Sequence, residues 1–287
     1  QRAVAFSMLN QIEKSRESFQ QVLEREPDHR RALQGLAVID LAASRLEEAS
    51  ERVRRLRELA PDATATAMLT AQLLAAKGAW SEAVDLYDEL ARSTGEPRHV
   101  AAAARAEAAG GSVGAALQRV DAFLEANAEM KVPELHDLRV DLLISDGRRQ
   151  EAIDVLEGLH DAGEASPSAL NKLAWLLWEE GQLPRALRLA RQAYDGAPDD
   201  LAILDTYGWL LVRNNEDEQG IRLLERAFSR LDAVSAGDGT ATIAYHYAYA
   251  LDRVGQEARA REVLETLFDS VDEFPEKPMA ERLYRRL

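Results

Sequence analysis

The chain has 287 residues, of which 46% are hydrophobic and 30% are charged, and its formal net charge is −15. These values are typical of a folded globular protein and exclude an intrinsically disordered chain. The apolar runs end at a charge well before the roughly 18 residues that a membrane helix needs. The acidic balance argues against non-specific nucleic-acid binding, and the lack of cysteine excludes disulfides, thiol nucleophiles and CxxC zinc sites.

Helix-forming residues dominate the sequence, since alanine, leucine, glutamate and arginine are abundant and only nine prolines and 16 glycines interrupt them. The composition therefore predicts an all-α fold. In chain order, an internal repeat is the next feature to appear. A first set of small and apolar residues returns 34 residues later: Ala37, Ala49 and Val53, then Ala71, Ala83 and Tyr87.

Each period contains two apolar stripes separated by a turn residue. In the later repeats the first stripe reads LAWLL at 173–177, YGWLL at 207–211 and YAYAL at 247–251, and the turn residues are Gly181, Asn215 and Gly255. Spacings of three and four place each stripe on one face of a helix, so each period is predicted to be a helix, a tight turn and a second helix. A small residue in each first helix allows the two helices to cross closely: Ala37, Ala71, Ala104, Ala174, Gly208 and Ala248.

The period of 34, the turn glycine, the alanine of the second helix and the closing prolines Pro27, Pro61 and Pro198 resemble the tetratricopeptide repeat (TPR) family over nearly the whole chain. This resemblance implies a right-handed α-solenoid of about eight repeats, forming a single superhelical domain over residues 1–287. The predicted repeats span about 1–29, 30–63, 64–96, 97–132, 133–166, 167–200, 201–240 and 241–274, and a capping helix covers 275–287.

Two departures from the repeat pattern carry expectations of their own. The first repeat lacks the opening of its first helix, and neither an initiator methionine nor a signal peptide precedes it, so we expect a fragment of a longer repeat protein. A six-residue insertion creates a segment at 231–240 that is rich in glycine and aspartate. Such residues favour turns, and the segment is predicted to be a mobile loop.

The last three complete repeats share aromatic residues at equivalent positions of their first helices. In a curved TPR array these helices line the concave face, and aromatic side chains are enriched at binding hot spots and stack on sugar rings. We therefore predict a partner-binding strip, with packing between neighbouring helices as the alternative role of Trp175 and Trp209. The candidate residues are Asn171, Trp175, Trp178, Asp205, Trp209, Tyr245 and Tyr249. Trp80 opens a second helix instead and is predicted to pack in the core.

The charge of the predicted groove favours a basic or neutral protein partner. Chaperone-docking TPR proteins grip a C-terminal carboxylate with lysine and asparagine, and the resemblance places other residues here: Gln34 and Val38, Met68 and Gln72, Ala101 and Arg105, then Asp137 and Asp141. The basic clamp is therefore absent. Four acidic groove positions would attract positive charge instead: Asp137, Asp141, Asp205 and Asp252.

The sequence contains no constellation that predicts catalysis. The five histidines are dispersed, no HExxH, GxxxxGK[ST] or GxSxG pattern occurs, and Asp238 lacks the acidic spacing of a calcium loop. We therefore predict a non-enzymatic protein without a metal ion or another cofactor.

A narrower resemblance covers about residues 167–270. The segments LNKLAWLL at 170–177, APDD at 197–200 and ILDTYGW at 203–209 are similar to bacterial envelope TPR lipoproteins that accompany exosortase (PEP-CTERM) and exopolysaccharide systems. This resemblance implies a periplasmic scaffold for polymer secretion or surface-protein sorting. A carbohydrate-binding array, with a polysaccharide as partner, and a cytoplasmic adaptor or regulator are the alternatives.

Overall fold

The computed structural model describes residues 12–231 and 238–287. These residues form 16 α-helices and no strand, so the predicted all-α fold is confirmed. The contacts divide the chain into two compact units, Gln1–Arg148 and Arg149–Leu287. The organisation of the whole chain as one superhelical domain stays a prediction.

The described part of the first unit consists of eight helices, and consecutive helices pack against each other along the chain. They are α1 (Ile12–Arg25), α2 (Arg30–Ala42), α3 (Leu46–Leu59), α4 (Thr64–Ala76), α5 (Trp80–Thr94), α6 (Pro97–Ala109), α7 (Val113–Ala126) and α8 (Pro133–Ser145).

The second unit also has eight helices in its described residues. They are α9 (Arg149–Asp161), α10 (Pro167–Glu179), α11 (Leu183–Gly196), α12 (Leu201–Arg213), α13 (Asp217–Phe228), α14 (Asp238–Arg253), α15 (Glu257–Ser270) and α16 (Lys277–Arg286). Within this unit the first helices α10, α12 and α14 also contact one another in order, which places equivalent positions of successive repeats side by side.

Helix boundaries follow local capping chemistry. The Ser166 hydroxyl accepts a hydrogen bond from the amide of Ala169 at 3.0 Å, and the Asp200 carboxylate accepts two, from Ala202 at 2.9 Å and Ile203 at 3.1 Å. These bonds satisfy amides that lack a partner within the first turn of a helix. The first turns of α10 and α12 are therefore fixed by the residue that precedes each helix.

Small residues allow the crossing helices to pack closely, as the sequence predicts. Ala71, Ala174 and Ala248 are completely buried. At Gly208 an added methyl group would lie only 2.9 Å from Cγ of Leu224 on α13, so α12 and α13 approach too closely for a side chain. The predicted core role of Trp80 is also confirmed, because its half-buried ring packs into the core of the first unit, against Gly110 at the end of α6.

The structure revises one predicted boundary. Helix α14 begins at Asp238, inside the loop predicted at 231–240, so the connection is shorter than expected at its C-terminal end. The rest of that loop, 232–237, and the first helix of the repeat predicted at 1–29 lie outside the described residues. Helix α16 occupies the position predicted for the C-terminal cap.

Candidate functional site: an aromatic cluster in the second unit

Six ring-bearing side chains from three consecutive first helices form one group, which we call the aromatic cluster. Helix α10 contributes two of its residues, α12 one and α14 three: Trp175, Trp178, Trp209, Tyr245, His246 and Tyr249. Residues three or four apart share a helix face, and the packing of α10, α12 and α14 brings those faces together. The structure thus joins the aromatic positions that the repeat pattern predicts to be equivalent.

Trp209 lies at the centre of the aromatic cluster. Its ring stacks on the imidazole of His246, with centroids 4.0 Å apart and planes inclined by 17°. Tyr249 lies edge-on at 5.1 Å, and Trp178 meets Trp209 at 6.0 Å and 85°. Edge-to-face and offset-stacked pairs are the favourable arrangements of aromatic rings, so these contacts fix the orientation of Trp209.

Trp175 and Trp178 form the edge of the cluster on α10. Their centroids are 4.7 Å apart, and Trp175 also reaches His246 at 6.0 Å. The guanidinium carbon of Arg213 lies 5.3 Å from the Trp209 centroid and 6.0 Å from that of Trp178. Arg213 therefore makes cation–π contacts with both rings, and it brings positive charge to a face that the sequence predicts to be acidic.

A buried ionisable pair supports the cluster from one side. Nδ1 of His246 lies 2.8 and 3.0 Å from the two carboxylate oxygens of Asp205, and the two side chains are only 2% and 9% exposed. Donation from the imidazole to the carboxylate satisfies both buried groups and holds the ring parallel to Trp209. The sequence predicts a solvated or packed histidine at this position and does not reveal the pair.

Burial separates the predicted partner-binding residues into two classes. Trp209 and Tyr245 are buried, with 3% and 5% of their surface exposed, whereas Trp175, Trp178 and Tyr249 are half-buried. For Trp209 the burial favours packing between helices, the alternative role, and Tyr245 is likewise too buried to form part of the predicted binding surface. The rings of α14 and α10 cover Trp209, so it forms the floor of the cluster while the half-buried rings form its accessible wall.

The predicted negative charge of the first-helix face is also revised. Asp205 is buried against His246, and Asp252 forms an ion pair with Arg286, so neither is a solvated groove carboxylate. Asp137 and Asp141, in the first unit, also have interaction partners. The electrostatic argument for a basic partner at the first-helix face is weaker than the sequence suggests.

Two buried polar atoms on the helices of the cluster lack a hydrogen-bond partner among the described residues. They are the indole Nε1 of Trp209 and Oδ1 of Asn171, which lies one helical turn before Trp175 on α10. Burial raises the pKa of the Tyr245 phenol, which keeps its hydroxyl protonated as a potential donor. One donor, on the central ring of the cluster, and one acceptor, on α10, therefore remain unsatisfied.

The rest of the described chain adds no further type of site. In residues 12–231 and 238–287 no group of three or more histidine, aspartate or glutamate side chains has the arrangement to hold a metal ion. The same residues include no helix of sufficient length and hydropathy to cross a membrane.

Comparison with known sequences identifies the repeat. Two sequence models of the tetratricopeptide repeat match residues 9–73 and 138–200, and the second match includes Trp175 and Trp178. The chain contains tetratricopeptide repeats. Arrays of TPR units generally mediate protein–protein interaction and are typically non-catalytic scaffolds. No curated protein matches the sequence.

Solved structures with TPR repeats share the architecture. The APC/C hetero-tetramer Cut9–Hcn1 is 13% identical, with a TM-score of 0.63 over 99% of this chain and 54% of that chain. A TPR protein from Parabacteroides merdae is 15% identical, with a TM-score of 0.57 over 94% and 98%. YrrB, a TPR protein with an unusual peptide-binding site, is 14% identical, with a TM-score of 0.50 over 70% and 98%. These similarities establish the helical repeat fold.

Proposed function

We propose that the aromatic cluster binds a peptide segment of a protein partner and that the chain acts as a TPR scaffold. The observation that carries this proposal is the pair of unsatisfied buried atoms, Nε1 of Trp209 and Oδ1 of Asn171, beside half-buried rings. A buried polar group without a partner costs about 1–3 kcal/mol. A peptide backbone offers carbonyl acceptors for the indole and N–H donors for the amide oxygen.

The accessible rings provide the apolar part of the same surface. Trp175, Trp178 and Tyr249 expose part of their rings around the buried Trp209. Rigid aromatic side chains bury a large area on binding and lose little conformational entropy. Their positions are fixed by the Trp209–His246 stack, which favours a pre-formed site. The peptide-binding site of YrrB is consistent with such a role for this fold.

The proposal is tested by selecting peptides from a random display library on the intact chain and titrating the tightest binder by tryptophan fluorescence and calorimetry. In the Trp175→Ala/Trp178→Ala variant we expect the dissociation constant to rise by about thirtyfold or more, as for hot-spot residues. Trp80→Ala is the matched control, because Trp80 is also half-buried but packs in the first unit. Equal loss in both variants, or failure to select any peptide, would contradict the proposal.

A carbohydrate ligand is the second candidate, since tryptophan rings also stack on sugars. It predicts a saturable change in tryptophan fluorescence with a soluble polysaccharide alone, such as alginate or dextran, and the change should be absent in Trp175→Ala/Trp178→Ala. The peptide is the first candidate because TPR arrays generally mediate protein–protein interaction.

We further propose that the scaffold works in the bacterial envelope, in exopolysaccharide secretion or surface-protein sorting. This proposal rests on the likeness of residues 167–270 to envelope TPR lipoproteins and on the lack of cysteine. Its test is the cellular location of the full gene product by fractionation. Recovery in the periplasmic or membrane fraction is expected, and exclusive recovery in the cytoplasm would favour the adaptor or regulator instead.

A further inference from the structure

The first unit contains a groove that the predicted binding face does not include. Residues at the C-terminal end of α3, along α4 and along α5 line it. The cavity has a volume of about 760 Å³, which is large enough for several side chains of a bound segment. We call it the acidic groove, for the residues described next.

Four carboxylates line the acidic groove and a single cation opposes them. Asp62 precedes α4, Glu82, Asp85 and Glu89 lie on α5, and Arg57 lies at the end of α3. With the residues that the structure describes, none of the four carboxylates forms an ion pair or a side-chain hydrogen bond, so their charge is not consumed within the fold. Spacings of three and four along α5 direct its three carboxylates to one side of the helix.

The lining of the groove also combines apolar surface with one unsatisfied hydroxyl. Leu74 of α4 and Leu86 and Leu90 of α5 supply the apolar part. Thr66 also lines the groove, is only 1% exposed, and its hydroxyl has no hydrogen-bond partner in the described part of the chain. A hydroxyl that is buried without a partner is destabilising, which points to a polar group supplied by a ligand.

We propose that the acidic groove binds a segment of a protein partner that is rich in lysine or arginine. These side chains place an aliphatic stem on apolar surface and keep the charged end in a polar environment. The leucines of the lining match the stem, and the carboxylates of α5 match the charged end. Thr66 receives a polar group of the bound segment.

The first test measures binding of fluorescein-labelled octalysine to the intact chain by fluorescence anisotropy at low ionic strength. The groove variant is Glu82→Gln/Asp85→Asn/Glu89→Gln. The control variant is Glu125→Gln/Glu129→Gln/Glu134→Gln, which removes the same charge from exposed positions of the same unit outside the groove. Circular dichroism checks that both variants keep their helix content.

We expect the groove variant to weaken octalysine binding by about tenfold or more and the control variant by about twofold or less, because exposed charges act mainly over short range. Equal weakening in both variants would assign the binding to the overall charge of the chain and overturn the proposal. Displacement of octalysine by spermine at equal concentration of positive charge would identify a polyamine site and also overturn it.

The second test uses Thr66→Val, which replaces the unsatisfied hydroxyl by a methyl group of similar shape. We expect the unbound protein to melt at an equal or higher temperature and octalysine to bind about threefold more weakly or worse. Unchanged octalysine binding would show that Thr66 does not contact the bound segment, and it would contradict the proposal. The aromatic cluster contributes no residue to this groove, so the peptide-binding proposal above stands or fails separately.

Discussion

Two repeats, one in each unit, have the same plan and different surfaces. The helix pair α4–α5 and the helix pair α12–α13 align on the residues where the helices cross and turn. The aligned pairs are Ala71 with Gly208, Gly78 with Asn215, Ala83 with Gly220, and Tyr87 with Leu224. In both repeats the crossing residues are buried and the turn residue has a positive φ. The repeat thus determines which positions are buried where the helices cross, and it determines the backbone conformation of the turn residue.

The grooves beside these two repeats have opposite charge. In the same alignment, Asp85 and Glu89 of the acidic groove correspond to Arg222 and Arg226, which line a cavity of about 480 Å³ beside α13. Nη1 of Arg226 donates a hydrogen bond to the hydroxyl of Tyr194 at 2.9 Å, so this arginine is partly satisfied within the fold. The repeat plan therefore does not require carboxylates at these positions, and their charge is available for recognition.

The first-helix faces differ as well. Gln72 of α4 is exposed, whereas Trp209 occupies the aligned position of α12 and is buried among the rings of α10 and α14. One turn earlier, Met68 aligns with Asp205, the partner of His246. The position of Gln72 is thus solvated in one unit, and the aligned position of Trp209 forms part of the hydrophobic core in the other.

The largest effect should come from this first-helix position. Trp209→Ala removes a buried ring and its stacking contact with His246, and we expect the free energy of unfolding to fall by about 3–5 kcal/mol. Gln72→Ala at the aligned position should change it by less than about 0.5 kcal/mol. Denaturant unfolding gives these values, and hydrogen exchange should become faster in α12 and in the helices α10 and α14 whose rings contact Trp209. Similar small effects at both positions would mean that Trp209 is not part of the core.

The crossing of α12 and α13 should give the next largest effect. A methyl group at Gly220 would lie 2.5 Å from Cγ2 of Val212 and 2.7 Å from the carbonyl oxygen of Gly208, so Gly220→Ala must force the helices apart. We expect a loss of roughly 1–3 kcal/mol from overpacking, only partly offset by the better helix propensity of alanine.

Gly158→Ala is the matched control for this substitution. Gly158 lies within α9 of the same unit, and a methyl group there would meet no atom within 4 Å. The control should stabilise the protein by up to about 1 kcal/mol through helix propensity alone. Opposite signs of the two glycine-to-alanine changes in urea unfolding are expected. Stabilisation by both would show that α12 and α13 stand further apart than the structure describes.

The sequence predicts much of the repeat architecture because the physical causes of that architecture are local. A helix needs an apolar stripe, a turn residue and a small residue at the crossing, and the small residue recurs in successive repeats at Ala174, Gly208 and Ala248. The grouping of Trp175, Trp209 and Tyr249 on the first helices follows from the same repeat pattern. These features require no knowledge of the contacts between distant residues.

The burial of the residues in the aromatic cluster depends on contacts that the repeat period does not predict. His246 and Asp205 are 41 residues apart, and their repeats are separated by the inserted segment, so the period of 34 does not pair them. Trp209 is buried because rings from both neighbouring helices cover it, which depends on the packing of three repeats. For the same reason the sequence could not show that Asp205 is unavailable to a basic partner.

The smallest effect should appear at the turns. Gly78 has φ of +77° with open space around it, and its counterpart Asn215 has φ of +65° and accepts a hydrogen bond from Nη2 of Arg253 at 3.0 Å. Left-handed backbone costs most residues about 1–2 kcal/mol, and asparagine tolerates it better than alanine. In urea unfolding we therefore expect Gly78→Ala to lose about 1 kcal/mol and Gly78→Asn to lose less. Because a side chain at Gly78 meets no neighbour, equal losses for alanine and asparagine would show that backbone conformation does not set the cost of this turn.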